Sequence, residues 1–138
     1  MAQALFQAGL GNEYVNSLEP WKQALALGLT TFPEQPEPTR SDCHAWSASP
    51  NYDLLATVCG IRPLDIGFRK VSIAPQLGSL KIVEAKMPHT YGEIKVKFVR
   101  QGLNGIEAEI NLPAGLTGEF VWNGKVRKIV SGYNKIVF

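Results

Sequence analysis

The hydrophobic pattern of the chain changes its period near Pro63, and this change restricts the fold more than any other feature. Before Pro63, apolar residues recur at three- and four-residue steps, as on one face of a helix. After Pro63, apolar and polar residues alternate, as in strands with one buried face. The sequence therefore predicts an α+β protein, with N-terminal helices in residues 1–62 and an antiparallel β-sandwich of about seven or eight strands in residues 63–138.

The first part predicts helices at about residues 2–8, 13–27 and 51–58. Pro20 lies inside the second helix, which must kink there or restart with Pro20 in its first turn. Gly28 is expected to end that helix, and Ser49 is expected to cap the third. So few helices with wide apolar faces cannot enclose a core. This part is expected to be the end of a larger helical domain.

The second part contains two hairpin signals. Residues 92–100 and 106–112 alternate apolar and charged side chains around a Gly-Leu-Asn-Gly turn, and opposite charges are expected to pair across the exposed face. Asn123-Gly124 predicts a type I′ turn in a second hairpin. Trp122, which precedes this turn, is expected to lie in the core, as is Trp21 on the helical stripe.

Composition excludes several classes of function. The 138 residues carry a net charge of +2 without a basic cluster, which argues against nucleic-acid binding. No apolar run approaches the roughly 18 residues of a membrane span. Cys43 and Cys59 lack metal-ligand spacing, so both are expected to be free thiols, with Cys59 in the core and no metal or cofactor bound. The N-terminus has no signal-peptide pattern, and the compartment stays open.

One loop, residues 30–50, concentrates the polar and ionisable side chains of the first part. It combines carboxylates, a histidine, an arginine, a tryptophan and a cysteine with four prolines, so it is neither a long helix nor a plain strand. Such a loop can present a functional site from a rigid scaffold, or it can be a polar connector whose prolines fix its path. Composition alone leaves both interpretations open.

Three motifs around this loop resemble one known family. They are Gly-Leu-Thr-Thr-Phe-Pro-Glu at residues 28–34, Ser-Asp-Cys-His-Ala-Trp-Ser-Ala at residues 41–48 and Gly-Ile-Arg-Pro-Leu at residues 60–64. Together they resemble the C-terminal part of bacterial α-L-rhamnosidases of glycoside hydrolase family seventy-eight. The resemblance implies the last helices of an (α/α)6 barrel followed by a C-terminal β-sandwich. It covers essentially the whole chain, but only the last third or less of a full-length enzyme.

The resemblance also implies roles for individual residues. Enzymes of this family invert the anomeric centre by using one carboxylic acid and one carboxylate base. The motif places the general base on Glu34 and a sugar contact on His44. Trp46 is expected either to wall the sugar pocket or to pack behind it. Asp42 and Arg40 are candidates to orient His44 or the carboxylate.

Other residues of interest are expected to have lesser roles. Glu37 is an alternative base but is expected to be exposed, and His89 is expected to cap a strand turn. The family's general acid comes from earlier barrel helices, so the isolated chain is expected to be inactive. Its partners would be a rhamnose-containing carbohydrate and the remainder of the barrel. Exposed helix faces are expected to favour self-association.

A competing hypothesis is a non-catalytic module that packs against a neighbour or binds carbohydrate. Sugar-binding faces usually present flat rings. Outside the helices, Trp122, Tyr133 and Tyr91 are the candidates for such rings. The exposure of these three side chains is therefore the first structural observation that bears on this hypothesis.

Overall fold

A computed structural model describes residues 1–138 and places all of the α-helices in the first sixty residues. Helix α1 spans Ala2–Gln7, a 3₁₀ helix spans Gly11–Leu18, and α2 spans Glu19–Ala26. A 3₁₀ turn at Ala45–Ala48 leads into α3 at Pro50–Asp53, which continues as a π-helical stretch at Leu54–Val58. None of these helices is long and apolar enough to cross a membrane.

The second predicted helix restarts at Pro20 and does not kink there. The 3₁₀ helix ends at Leu18, and Pro20 occupies the first turn of α2, where its missing N–H is not needed. Gly28 adopts a φ of 82°, and the Leu29 N–H donates to the Ala24 carbonyl at 3.0 Å, so Gly28 ends α2 as predicted.

Other predictions for the helices were wrong. The Ser49 side chain makes no capping hydrogen bond, because its backbone already has helical angles. The spacing of apolar residues in the third helix predicts that Tyr52 and Leu54 are buried, but they are 67% and 40% exposed, since no element of this chain covers that side of α3 and its π-helical continuation.

Eight strands form two four-stranded sheets. The strands are β1 Ile61–Pro63, β2 Lys70–Ile73, β3 Ile82–His89, β4 Gly92–Gln101, β5 Gly105–Leu112, β6 Thr117–Trp122, β7 Lys125–Ile129 and β8 Gly132–Val137. Their orders are β1-β2-β6-β7 and β3-β4-β5-β8. All neighbours are antiparallel except β2 and β6, which pair parallel. The predicted sandwich is confirmed, whereas β1 and the parallel pairing of β2 with β6 were not predicted. A 3₁₀ turn, Ile66–Phe68, connects β1 to β2.

Both hairpin predictions are confirmed. Val96 lies opposite Ile110 and Phe98 opposite Ala108, with all four side chains buried. Asn123 and Gly124 have φ values of 47° and 76°, as a type I′ turn requires.

The charges on the exposed face pair differently from the prediction. Lys97 lies opposite Glu109 on the neighbouring strand, but no ion pair joins them. Glu107 pairs instead with Lys135 of β8, with an N···O distance of 2.8 Å. Glu107 raises the pKa of Lys135, mainly by accepting a hydrogen bond from the ammonium group and secondly through its negative charge.

The core lies between the two sheets and confirms two further predictions. The rings of Phe98 and Phe120 stack across it with centroids 5.9 Å apart. Trp122 and Cys59 are both buried within it. A smaller apolar cluster joins the helices, with Tyr14 and Val58 at its centre.

A tight junction at Gly60 fixes the helices to the sandwich. Gly60 has a φ of 68°, and its carbonyl accepts the Ala74 N–H at 3.0 Å. The Arg62 side chain reaches back to donate to the Ala56 carbonyl at 2.7 Å and to the Thr57 hydroxyl at 3.1 Å. Its guanidinium also lies 3.7 Å from the centre of the Phe6 ring. Hydrogen bonds and a cation–π contact therefore hold the two parts together.

We expect Gly60→Ala to lower the free energy of unfolding far more than Gly67→Ala. Both glycines have positive φ, which costs an L-residue about 1–2 kcal/mol. A Cβ on Gly60 would also lie 2.1 Å from the Ala74 carbonyl carbon, whereas one on Gly67 would meet no atom within 4 Å. Urea unfolding of both variants measures the difference, and equal losses would contradict the tight junction.

We also expect Cys59 to make the fold less stable at high pH. Burial raises the pKa of the Cys59 thiol from an ordinary 9.0 to about 11. Between these values the unfolded chain loses this proton first, so stability falls as pH rises, by about 2–3 kcal/mol at pH 11. Urea unfolding at pH 8 and pH 11 should show that Cys59→Ala removes this part of the decline.

The control is Cys43→Ala. Because Cys43 is exposed, this variant should show the same loss of stability between pH 8 and pH 11 as the unchanged protein. Burial and the Asp53 carboxylate also raise the pKa of Tyr14. Tyr14 is present in the unchanged protein and in both alanine variants, so its effect on the pH dependence of stability is the same in all three. An identical decline in the two alanine variants would show that Cys59 does not cause it.

Candidate functional site

The candidate site is the loop between α2 and α3, which folds back on itself and contains only the short 3₁₀ turn at Ala45–Ala48. Two backbone hydrogen bonds close it: the His44 N–H donates to the Phe32 carbonyl at 2.7 Å, and the Glu34 N–H donates to the Ser41 carbonyl at 2.8 Å. The Thr31 hydroxyl donates to the Asp42 carbonyl in the same hairpin-like arrangement. The two motifs at residues 28–34 and 41–48 therefore lie side by side.

Arg40 contacts the Glu34 carboxylate through both of its oxygens. The Arg40 Nε donates to Glu34 Oε2 at 3.0 Å, and Nη2 donates to Oε1. The Glu34 side chain is 9% exposed, whereas the Arg40 side chain is 79% exposed. Of the two arrangements left open for Arg40, the structure places it on the carboxylate and not on His44.

His44 and Trp46 form an aromatic pair next to Glu34. Their ring centres are 4.5 Å apart and their planes are inclined by 44°. The Trp46 indole N–H donates to the Glu34 carbonyl at 3.1 Å, and 65% of the tryptophan is exposed. The Nδ1 atom of His44 is buried without a hydrogen-bond partner. One face of the loop thus presents an open ring beside a nearly buried carboxylate.

Asp42 and Glu37 do not join this arrangement directly. The Asp42 side chain is exposed and makes no hydrogen bond or ion pair. Glu37 is exposed as expected, and its carboxylate accepts the Thr39 N–H at 3.2 Å. No ion pair or hydrogen bond links either carboxylate to Glu34 or His44.

A groove of about 360 Å³ separates α2 from the loop, and Glu34 lies in its wall. Trp21, Leu27 and Pro33 line its apolar side, and Glu37 lies at the same groove. The Trp21 indole N–H donates to the Ser47 carbonyl at 2.6 Å, which ties α2 to the loop. Trp21 was expected to lie in the core, and this role was not predicted. The half-buried ring faces the groove, and helical periodicity alone could not distinguish the two environments.

His89 has a structural environment, as predicted. Its Nδ1 accepts the Tyr91 N–H at 3.1 Å, and its Nε2 bonds the Phe68 carbonyl at 2.8 Å. An acceptor at Nδ1 places the proton on Nε2, so backbone groups occupy both nitrogens. Elsewhere in the chain, no group of three or more potential metal-ligating side chains lies together.

Comparison with known families agrees with this fold. A family model for the bacterial alpha-L-rhamnosidase C-terminal domain matches residues 60–137, which is more than half of the chain. The chain therefore belongs to the family of bacterial α-L-rhamnosidase C-terminal domains. No curated protein sequence matches it.

Solved structures extend the similarity beyond the sandwich. A native α-L-rhamnosidase from Aspergillus terreus superposes with a TM-score of 0.87 at 19% identity, over 98% of this chain and 18% of that chain. The GH78 family rhamnosidase of Bacillus sp. GL1 matches with a TM-score of 0.75 at 29% identity, over 86% of this chain and 14% of its own.

A third structure, the Streptomyces avermitilis α-L-rhamnosidase complexed with L-rhamnose, matches with a TM-score of 0.71 at 18% identity, over 86% of this chain and 14% of its own. This chain thus spans less than one fifth of the length of the rhamnosidases that it matches.

We expect Arg40→Gln to loosen the loop without unfolding the protein. Solvent reaches this ion pair from the Arg40 side chain, which is 79% exposed, although the Glu34 side chain is 9% exposed. We therefore expect its loss to cost about 1 kcal/mol, as for an exposed pair, and not the roughly 3–5 kcal/mol of a fully buried one. Hydrogen exchange at the Glu34 and His44 amides should therefore become faster while the free energy of unfolding changes little. Arg69→Gln, which breaks another ion pair of an exposed arginine outside this loop, is the matched control and should leave the exchange of both amides unchanged. A drop of several kcal/mol for Arg40→Gln would contradict this view.

Proposed function

We propose that this chain acts as the C-terminal part of an inverting glycoside hydrolase that cleaves terminal α-L-rhamnosides. In this proposal, residues 1–62 complete a helical barrel that carries the active site, and residues 63–138 form the accessory sandwich. The observation that carries it is the match to the Aspergillus enzyme over 98% of this chain, which includes the helices and the Glu34 loop as well as the sandwich.

Glu34 is the proposed general base because its surroundings suit that task. Its side chain is 9% exposed, and Glu34 is one of the residues that line the open groove, through which water can reach it. The other proposed site residues, Arg40, Asp42, His44 and Trp46, do not line this groove. An inverting enzyme places its acid about 6.5–9.5 Å from the base, with the water between them. In this proposal the acid comes from the remainder of the barrel.

Arg40 leaves the Glu34 carboxylate able to act as a base. The guanidinium bonds both oxygens, but each carboxylate oxygen has a second lone pair that can accept a proton from water. Because the Arg40 side chain is 79% exposed, it can also turn into solvent when the barrel and substrate supply the carboxylate with other partners. The isolated chain is proposed to be inactive because the acid and the rest of the sugar pocket come from the remainder of the barrel.

His44 and Trp46 are the proposed sugar contacts, with Arg40 as the residue that orients the carboxylate. The buried Nδ1 of His44 has no partner in the chain, and buried polar atoms normally have one, so we propose that a sugar hydroxyl, a barrel side chain or an ordered water bonds it in the full enzyme. The exposed ring of Trp46 offers a flat apolar face beside it. Asp42 remains a weaker candidate, since its carboxylate points to no other site residue.

The partner proposed for the helices is the remainder of the barrel. Large apolar side chains of α2, of the residue that follows it and of α3 are exposed, among them Leu25 at 72%, Leu27 at 64% and Tyr52 at 67%. Such a face on a soluble domain normally meets another surface. In the absence of the barrel, the same face could join two copies of the chain, so self-association stays a prediction.

A chimera tests the catalytic proposal. The matching C-terminal segment of the Bacillus sp. GL1 rhamnosidase is replaced by this chain, and hydrolysis of an aryl α-L-rhamnoside is measured. We expect Glu34→Gln to lower kcat by about 10²-fold or more, because a general base contributes roughly that much. The matched control is Glu37→Gln, which removes a carboxylate from the same loop and should change kcat by less than about threefold.

Three results would contradict the proposal. They are a folded but inactive chimera, a larger loss from Glu37→Gln than from Glu34→Gln, and rhamnoside turnover by the isolated chain. Circular dichroism establishes that each chimera is folded. If the chimera does not fold, the isolated chain is mixed with the Bacillus enzyme truncated before this segment, and restored Glu34-dependent activity decides the question.

A further inference from the structure

A second concave site lies at the junction of the helices and the sandwich, away from the Glu34 loop. It is a cleft of about 440 Å³ between the Gly9–Asn12 turn, the segment after β2 and the tips of two hairpins. This volume is within the range of small-molecule sites. No residue between 13 and 73 lines the cleft, so it shares no lining residue with the groove between α2 and the Glu34 loop.

Arg100 supplies the only charged side chain in the cleft. It is half-buried, and none of the lining residues is an aspartate or glutamate. One guanidinium nitrogen donates to the Gly78 carbonyl at 3.0 Å, and the group lies 5.7 Å from the centre of the Trp122 ring. Arg100 forms no ion pair, so its remaining donors suit a carboxylate from a ligand.

Four residues with amide side chains line the same cleft as this arginine, namely Asn12, Gln76, Asn104 and Asn123. The amides of Gln76 and Asn104 make no hydrogen bond within the chain. Asn12 uses only its oxygen, which accepts the Gly78 N–H at 2.9 Å, and Asn123 uses only its nitrogen, which donates to the Asn104 carbonyl at 3.1 Å. The free groups therefore include both donors and acceptors, as the hydroxyls of a sugar require.

Hydrogen bonds within the chain hold the walls of the cleft in place, so the cleft is formed before a ligand binds. The Trp122 indole N–H donates to the Asn104 carbonyl at 2.7 Å and joins the two hairpin tips. The Gln76 N–H bonds the Val58 carbonyl at 3.1 Å, which fixes the segment after β2 to the end of α3. A preformed site of this kind loses little entropy when it binds a ligand.

We propose that this cleft binds a sugar acid, with its carboxylate on Arg100 and its hydroxyls on the surrounding amides. The ligand class follows from one unpaired arginine, no acidic side chain and free amides on several sides. A neutral sugar would leave the arginine unpaired, and a simple anion would leave the amides unused. The site is independent of Glu34 and of the rhamnosidase proposal.

Nuclear magnetic resonance titration of the full chain tests this site. D-galacturonate is the probe, with D-galactose as its neutral counterpart and acetate as the charge alone. We expect saturable shifts of the Trp122 indole and the Asn104 side-chain signals with galacturonate, and at least about tenfold weaker binding of galactose and acetate. Arg100→Lys keeps the charge but loses the planar fork, so it should weaken galacturonate binding by about tenfold.

Arg127→Lys is the matched control. Arg127 also lies over an aromatic ring, 5.2 Å from the centre of Phe138, and has no acidic partner, but it is outside the cleft. The proposal is wrong if galacturonate gives no saturable shift, if acetate or galactose binds equally well, or if Arg127→Lys has the same effect as Arg100→Lys. If Arg100→Lys does not fold, Asn104→Ala replaces it in the titration. The Asn104 side chain makes no hydrogen bond within the chain, so its loss should leave the fold intact and still weaken galacturonate binding.

Discussion

The close approach of Gly60 to Ala74 is the constraint on which the rest of the structure depends. Only a residue without a Cβ can turn there with a φ of 68° while its carbonyl accepts the Ala74 N–H. The turn converts the end of α3 directly into β1, so the last helix lies against the edge of the sandwich. Arg62 then secures this position by bonding back to the final turns of that helix.

Both candidate sites inherit their geometry from this junction. On one side, α3 carries the end of the loop that holds Glu34, and Trp21 ties α2 to the same loop through the Ser47 carbonyl. On the other side, Val58 binds the Gln76 N–H and so fixes one wall of the polar cleft. The two sites differ in character: the first is an open groove beside a nearly buried carboxylate, the second a polar cleft with one unpaired cation. Rigid elements thus place loop side chains that have few restraints of their own.

The sequence predicted the sandwich well because strand periodicity and turn chemistry are local. The alternation in β4 and β5 and the Asn123-Gly124 turn each require only neighbouring residues, and the structure confirms both. Predictions failed where a residue's environment depends on distant partners. In the sequence, Asn12 has the residue type and position of a helix cap, but in the structure its side chain accepts the Gly78 N–H, which lies 66 residues away. Likewise, β1 has three residues and exists because β2 pairs with it.

By itself, the sequence determined the fold class, the change from helix to strand near Pro63, and the loop that carries the ionisable residues. Periodicity and glycine or proline positions encode these features, because backbone sterics act over a few residues. Only the tertiary structure decided that Arg40 occupies both oxygens of Glu34 and that Trp21 faces a groove. It alone also revealed the polar cleft, whose walls come from four separate segments. Such contacts are set by how the elements pack, and no local pattern specifies that packing.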